Sequence, residues 1–121
     1  MEKQGTDFRC VFMNNLGVVH KYPKHNQLDL QFIADTQTYL SQYFPEVLPA
    51  KNKGDYLEMP IAPGSTCSEN RFRRIRSRVI KVKAEIENHG FYLKDANHKN
   101  IIYDSRCGGF YLVDFSKVVC L

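Results

Sequence analysis

The sequence predicts an α+β domain, and three observations carry that reading. Two pairs of short β-prone runs, residues 8–13 with 18–22 and 101–103 with 110–113, are each joined by a turn sequence. Two segments between them, residues 28–44 and 68–88, repeat apolar side chains at the helical period. With 121 residues, 43% of them apolar, the chain is expected to be one globular domain with a core of its own.

In chain order, F-R-C-V-F-M meets V-V-H-K-Y across N-N-L-G, which reads as a hairpin over residues 8–22. Residues 28–44 follow Pro23 and space Leu30, Ile33, Leu40 and Phe44 along one face, with Phe32, Tyr39 and Tyr43 beside them; Pro45 is expected to end this helix. Residues 46–62 should complete a small antiparallel sheet, with Y-L-E-M-P-I-A-P-G as a strand running into a Pro-rich turn. Thr66-Cys67-Ser68-Glu69 matches a capping box. Behind it Phe72, Ile75, Val79, Val82 and Ile86 recur at spacings of three and four, and His89-Gly90 supplies a stop. The second hairpin turns through Gly108 and Gly109.

Chemistry-bearing residues gather around that second hairpin. Asp95 and Asn100 stand five apart before its first strand, and Asp114 follows its second strand in a D-F-S triplet. A hairpin brings its two ends side by side, so the side-chain oxygens of Asn100 and Asp114 are expected to lie close together. The order D-x-x-x-x-N, strand, turn, strand, D-F resembles the catalytic core of the protein-kinase superfamily. The resemblance implies ATP and Mg²⁺ as cofactors, Asn100 and Asp114 as metal ligands, and Asp95 as the catalytic base.

The same resemblance extends over most of the chain. Lys21 stands where the strand Lys of V-A-I-K would contact the phosphates, and Asp35, counted back from F-P-E-V-L-P, takes the place of the helix acid that holds it. Met59 would be the gatekeeper, the carbonyl of Pro60 would accept from the adenine amine, and Ala62 would offer its N–H. The implied architecture is a truncated protein-kinase-like fold in a single domain, residues 1–121. A small antiparallel sheet forms the N-lobe, about residues 1–62, and a reduced helical C-lobe, about residues 66–121, carries the catalytic hairpin.

The chain is most similar to the minimal kinases, lacking an activation loop, that pathogenic bacteria secrete as effectors. That implies transfer of the γ-phosphate of ATP to a Ser/Thr hydroxyl of a protein. Two alternatives stand beside it: a weakly active or inactive nucleotide-binding docking module, and a small-molecule phosphotransferase. The departures from the family pattern are specific. Only Gly5 is available for a Gly-rich loop, Leu93-Lys94 replace His-Arg, Asn97 replaces a common Lys, and Ser116 replaces the glycine of D-F-G. Activity is therefore expected to be constitutive or partner-dependent.

Net charge is +4, unevenly placed. Residues 71–83 hold seven of the seventeen basic side chains and no acid, leaving ten basic against thirteen acidic elsewhere. No aromatic residues interleave with these arginines on the polar face, so nucleic acid is disfavoured, and Arg71 to Lys83 is expected to be a solvated face or a dock for a protein substrate or an acidic protein partner. Apolar side chains of residues 68–88 and of Ile101, Ile102, Leu112 and Val113 are expected to remain partly exposed, which would favour a complex or a homo-oligomer. The four cysteines form no C-x-x-C pair, no eighteen-residue apolar run is present, and M-E-K-Q-G-T-D lacks the basic-then-apolar order of a secretory signal, so none is expected. The expected location is the cytoplasm, or a host cell after secretion, with no membrane insertion.

Overall fold

The structure, a computed structural model, describes residues 7–94 and 96–121; the first six residues and Asp95 lie outside it. The first hairpin forms as the sequence predicts. Strands β1 (Phe8–Met13) and β2 (Val18–Pro23) pair antiparallel around a 3₁₀ turn, Asn14–Leu16, which Gly17 closes at φ +71°. Helix α1 (Leu30–Ser41) follows, then β3 (Lys51–Asn52) and β4 (Leu57–Pro60). The strands make one antiparallel sheet in the order β1-β2-β4-β3, with Val19 opposite Met59 and Lys21 opposite Leu57.

Helix α1 buries Ile33, Ala34, Thr36, Gln37 and Leu40. Asp29 caps it by accepting from the Phe32 N–H at 3.0 Å. The helix ends three residues earlier than the periodicity suggests. Proline disfavours helical geometry in the residue before it, and here the chain tightens well ahead of Pro45: the N–H groups of Gln42 and Tyr43 reach back only three residues, to Tyr39 and Leu40. Polar residues on α1 tie it to the following chain. Thr38 Oγ1 donates to the Ala50 carbonyl at 2.9 Å, and Gln37 Nε2 donates to the Leu48 carbonyl at 3.1 Å.

After β5 (Ser65–Thr66) comes the long helix α2 (Glu69–Asn88). Its cap is Ser68, whose Oγ accepts from the Arg71 N–H at 3.1 Å, and not Thr66, which is held in β5 opposite Ile102. Ile75, Val79, Val82 and Ile86 form the buried stripe that the sequence predicts. The helix stops at His89, and Gly90 turns the chain at φ +96°.

The remaining strands are β6 (Phe91–Leu93), β7 (Ile101–Asp104), β8 (Gly109–Leu112) and β9 (Val118–Cys120). They give a three-stranded sheet β5-β7-β8 and a ladder β6-β9 that packs on α2. A parallel bridge between Val47 and Leu112, with Leu112 N–H donating to the Glu46 carbonyl at 2.9 Å, joins the hairpin to the segment that follows α1. Of the apolar residues expected to stay partly exposed, Ile102, Val113 and Phe72 are half-buried, whereas Ile101, Leu112 and the α2 stripe are buried, the stripe with β6 packed against the helix. No helix among the described residues is long and apolar enough to cross a membrane.

The β7–β8 turn is pinned by Asp104. Its carboxylate accepts from the Arg106 backbone N–H and Nε at 3.1 Å each and from Nη2 at 3.2 Å. Those hydrogen bonds hold its pKa below the ordinary 3.8. A carboxylate that binds its proton less tightly when folded stabilises the fold above the unfolded-state pKa and loses that contribution as pH falls through the folded value. Asp104→Asn is therefore expected to be less stable than the parent at neutral pH, with the gap closing below about pH 4. Urea unfolding across that range checks it; a gap independent of pH would remove the electrostatic account.

Candidate functional site

Alternation along β2 turns Val19 and Lys21 to the same face of the sheet. Lys21 is only 6% exposed. Its Nζ donates to the Val113 carbonyl and sits 5.2 Å from the centre of the Phe8 ring. Burial pushes the Lys21 pKa down, and the charge of Asp114, with a smaller effect from Cys10, partly restores it. A buried ammonium with a carboxylate as its main charge partner is poised to hold an anion.

The hairpin supplies the opposite wall. Ile101 pairs with Leu112, and the Val113 N–H donates to the Asn100 carbonyl at 3.1 Å, so Asn100 and Asp114 meet at one end of the ladder. Asp114 Oδ1 accepts from the Ser116 N–H at 2.9 Å, which fixes the start of the D-F-S turn, and Phe115 behind it is fully buried. The loop before β7 is held by two side chains whose roles the sequence did not reveal. Asn97 caps the 3₁₀ turn His98–Asn100 by accepting from the Lys99 N–H at 2.9 Å. His98 Nδ1 lies 3.2 Å from the Cys67 carbonyl, so the ring donates there and ties this loop to the start of α2. Asp95 itself lies outside the described residues.

Between the two walls lies a cavity of about 340 Å³. Val19, Lys21 and Met59 line it from the sheet, Pro60 to Ala62 from the chain leaving β4, and Ile102 and Val113 from the hairpin. Cys10 and Phe12 close it from β1, a contribution the sequence pattern did not single out. The lining is largely apolar with one cation at its inner end, a form suited to a flat heterocycle carrying an anionic tail. Asn100 and Asp114 offer an amide and a carboxylate oxygen. That hard-donor pair suits Mg²⁺ when phosphates complete the coordination, and among the described residues no three His, Cys, Asp or Glu side chains gather into an all-protein metal cage.

One expected pairing is corrected. Asp35 is exposed and accepts from Gln31 Nε2 at 2.8 Å, while the interactions of Lys21 run to Val113, Phe8 and Asp114. The reason is helical phase. Asp35 stands two residues from both Ile33 and Gln37, which face the sheet, and two residues turn a helix by about 200°.

No protein-family model matches the chain, and neither does any curated protein. Solved structures do. WbdD, described as a bifunctional kinase-methyltransferase, is 18% identical with a TM-score of 0.63 over 100% of this chain and 32% of its own. The kinase PK-1 of Cydia pomonella granulovirus is 15% identical with a TM-score of 0.65 over 99% of this chain and 47% of its own. WbdD crystallised with a kinase inhibitor gives 19% identity and a TM-score of 0.57, covering 97% of this chain and 32% of that one. The chain thus spans less than half the length of these proteins, and over that span its α+β fold is kinase-like.

Proposed function

We propose that the chain binds Mg-ATP in this cavity and transfers its γ-phosphoryl group to a hydroxyl. The observation that supports the reading best is the convergence of Lys21, the Met59–Ala62 stretch and Val113 on one apolar slot from three separate segments, with the charge of Asp114 acting on Lys21. In this reading Met59 backs the adenine, the Pro60 carbonyl and Ala62 N–H meet its polar edge, and Lys21 exchanges the Val113 carbonyl for a phosphate oxygen. Asn100 and Asp114 hold Mg²⁺, which when bound neutralises charge on the phosphate oxygens. Asp95 takes the proton of the attacking hydroxyl as the new oxygen–phosphorus bond forms and the bond to the ADP oxygen breaks.

The resemblance of K-D-A-N-H-K-N and V-D-F-S to the protein-kinase motifs supports a Ser/Thr hydroxyl on a protein as the acceptor, and supports the role of a secreted effector. A thermal-shift titration with ATP and Mg²⁺ tests the site directly. At a hundred times the dissociation constant, binding adds about 2.7 kcal/mol of stability. Asp95→Asn is expected to keep that shift while abolishing transfer of labelled phosphate to a protein acceptor. Absence of any shift at millimolar Mg-ATP would sink the assignment. A second reading, a nucleotide-binding docking module without transfer, is favoured by the outward-facing Asp35; it predicts the shift in the parent chain with no labelled product.

A further inference from the structure

A second concavity, of about 270 Å³, lies between α2 and the loop that precedes β7. Phe72 and Val79 contribute its apolar lining, Ala96 and Asn97 border it from the loop, and Arg76, Ile80 and Lys83 come from successive turns of α2. We propose that this groove docks an acidic amphipathic helix of a protein partner, with two carboxylates bracketing one apolar side chain. The proposal does not depend on nucleotide binding, since the groove shares no lining residue with the cavity around Lys21.

Charge and spacing commit the occupant. Arg76, Ile80 and Lys83 stand at i, i+4 and i+7, on one face over about 10.5 Å. A partner helix with acids seven apart and an apolar residue between them repeats that spacing in either direction, so both charges and the central contact can be met together. Ile80 is 52% exposed, the large apolar side chain on an otherwise charged face. Among the described residues no acidic side chain lines the groove.

Arg71 and Arg78 of this helix are committed elsewhere. Arg71 stacks over Tyr103 at 4.6 Å, while Arg78 lies 5.3 Å from the centre of the Phe110 ring and donates to the Gly108 carbonyl at 2.8 Å. Arg76 is engaged by no partner among the described residues. Lys83, by contrast, is held with its Nζ 4.6 Å over the Tyr92 ring, which orders its stem before a partner arrives. The groove thus carries a cation with no partner among the described residues at one end and an ordered one at the other.

A fluorescently labelled helical peptide carrying Glu-x-x-x-Leu-x-x-Glu in an Ala-rich frame is the probe, added to the full chain and followed by anisotropy. Binding is expected, weakened at least tenfold by Arg76→Glu or by Ile80→Asp, and weakened by added salt. Arg74→Glu, which makes the same change in net charge away from the groove, should alter affinity much less. Circular dichroism confirms that each variant keeps its helix content. Failure of the parent chain to bind overturns the proposal, as does equal weakening by Arg74→Glu and Arg76→Glu. Sedimentation showing a dimer that Arg76→Glu dissociates, with no competition from the peptide, would also overturn it and assign the face to a second copy of the chain.

Discussion

Replacing Asp114 by Asn is expected to lower phosphoryl transfer by about 10³-fold while leaving the chain folded, the loss typical when a group that stabilises developing charge is removed. Asn is the informative choice. Its side-chain oxygen can still accept the Ser116 N–H, now at 2.9 Å, so the D-F-S turn keeps its hydrogen bond and only the charge is lost. The charge matters twice, for the metal and for Lys21. Burial already pushes the Lys21 pKa down and Asp114 is the main group opposing it, so the variant should push it further down.

The sign of the pH effect follows. When the folded pKa of Lys21 lies below the unfolded 10.5, the unfolded chain holds more protons between those two values, and stability rises with pH across that window. In the Asn variant the window opens at lower pH. Its stability deficit should therefore be greatest near neutrality and shrink as the solution becomes alkaline, because a neutral Lys21 no longer needs the carboxylate. Transfer assays at saturating Mg-ATP and denaturant unfolding from neutral to alkaline pH measure both halves. Transfer within tenfold of the parent would exclude Asp114 from the metal site, and a pH-independent deficit would exclude its charge coupling to Lys21.

How much of this could be read from the residues depends on the range of the interaction. The α2 stripe and the two hairpins are local: each is specified by side-chain period and turn residues within one segment, and each forms where expected. The meeting of Asn100 with Asp114 follows from the hairpin alone. The bond from Lys21 to the Val113 carbonyl joins residues 92 apart, and no local pattern encodes it. Strands of two or three residues, such as Ser65–Thr66 and Val118–Cys120, are too short for an alternating pattern and exist only because a longer partner is beside them.

Two misreadings have physical causes. Asp35 was reached by counting back from Pro45, yet α1 releases the chain at Ser41, and the buried phase is set by Ile33 and Gln37. The second is the cover of the α2 stripe, which no local pattern in the three-residue strands at 91–93 and 118–120 announces. Here the β6–β9 ladder supplies cover from within the chain, and what stays exposed on α2 is Ile80, at the edge of the groove rather than in the stripe.

Gly64→Ala is expected to be among the most destabilising single substitutions available in this chain, costing about 4 kcal/mol or more and disordering the cavity wall with it. Gly64 sits at φ +113°, a conformation that side chains rarely adopt, and a Cβ there would lie 2.2 Å from the Tyr103 carbonyl oxygen and 2.6 Å from its carbon. Both obstacles are backbone, so no rotamer change relieves them. The chain can make room only by parting β5 from β7, which would break the pairing of Ser65 with Tyr103 and the bond from Cys67 N–H to the Ile101 carbonyl. Gly64, Ser65 and Thr66 also line the cavity, so loss of this pairing should weaken nucleotide binding as well as stability. Gly54 is the internal control. It has a similar φ of +99°, but a Cβ there meets nothing within 4 Å, so Gly54→Ala should cost only the backbone strain, about 1–2 kcal/mol. Urea unfolding of the two variants separates strain from collision, and equal losses would show that the approach of Gly64 to Tyr103 does not hold this wall of the site together.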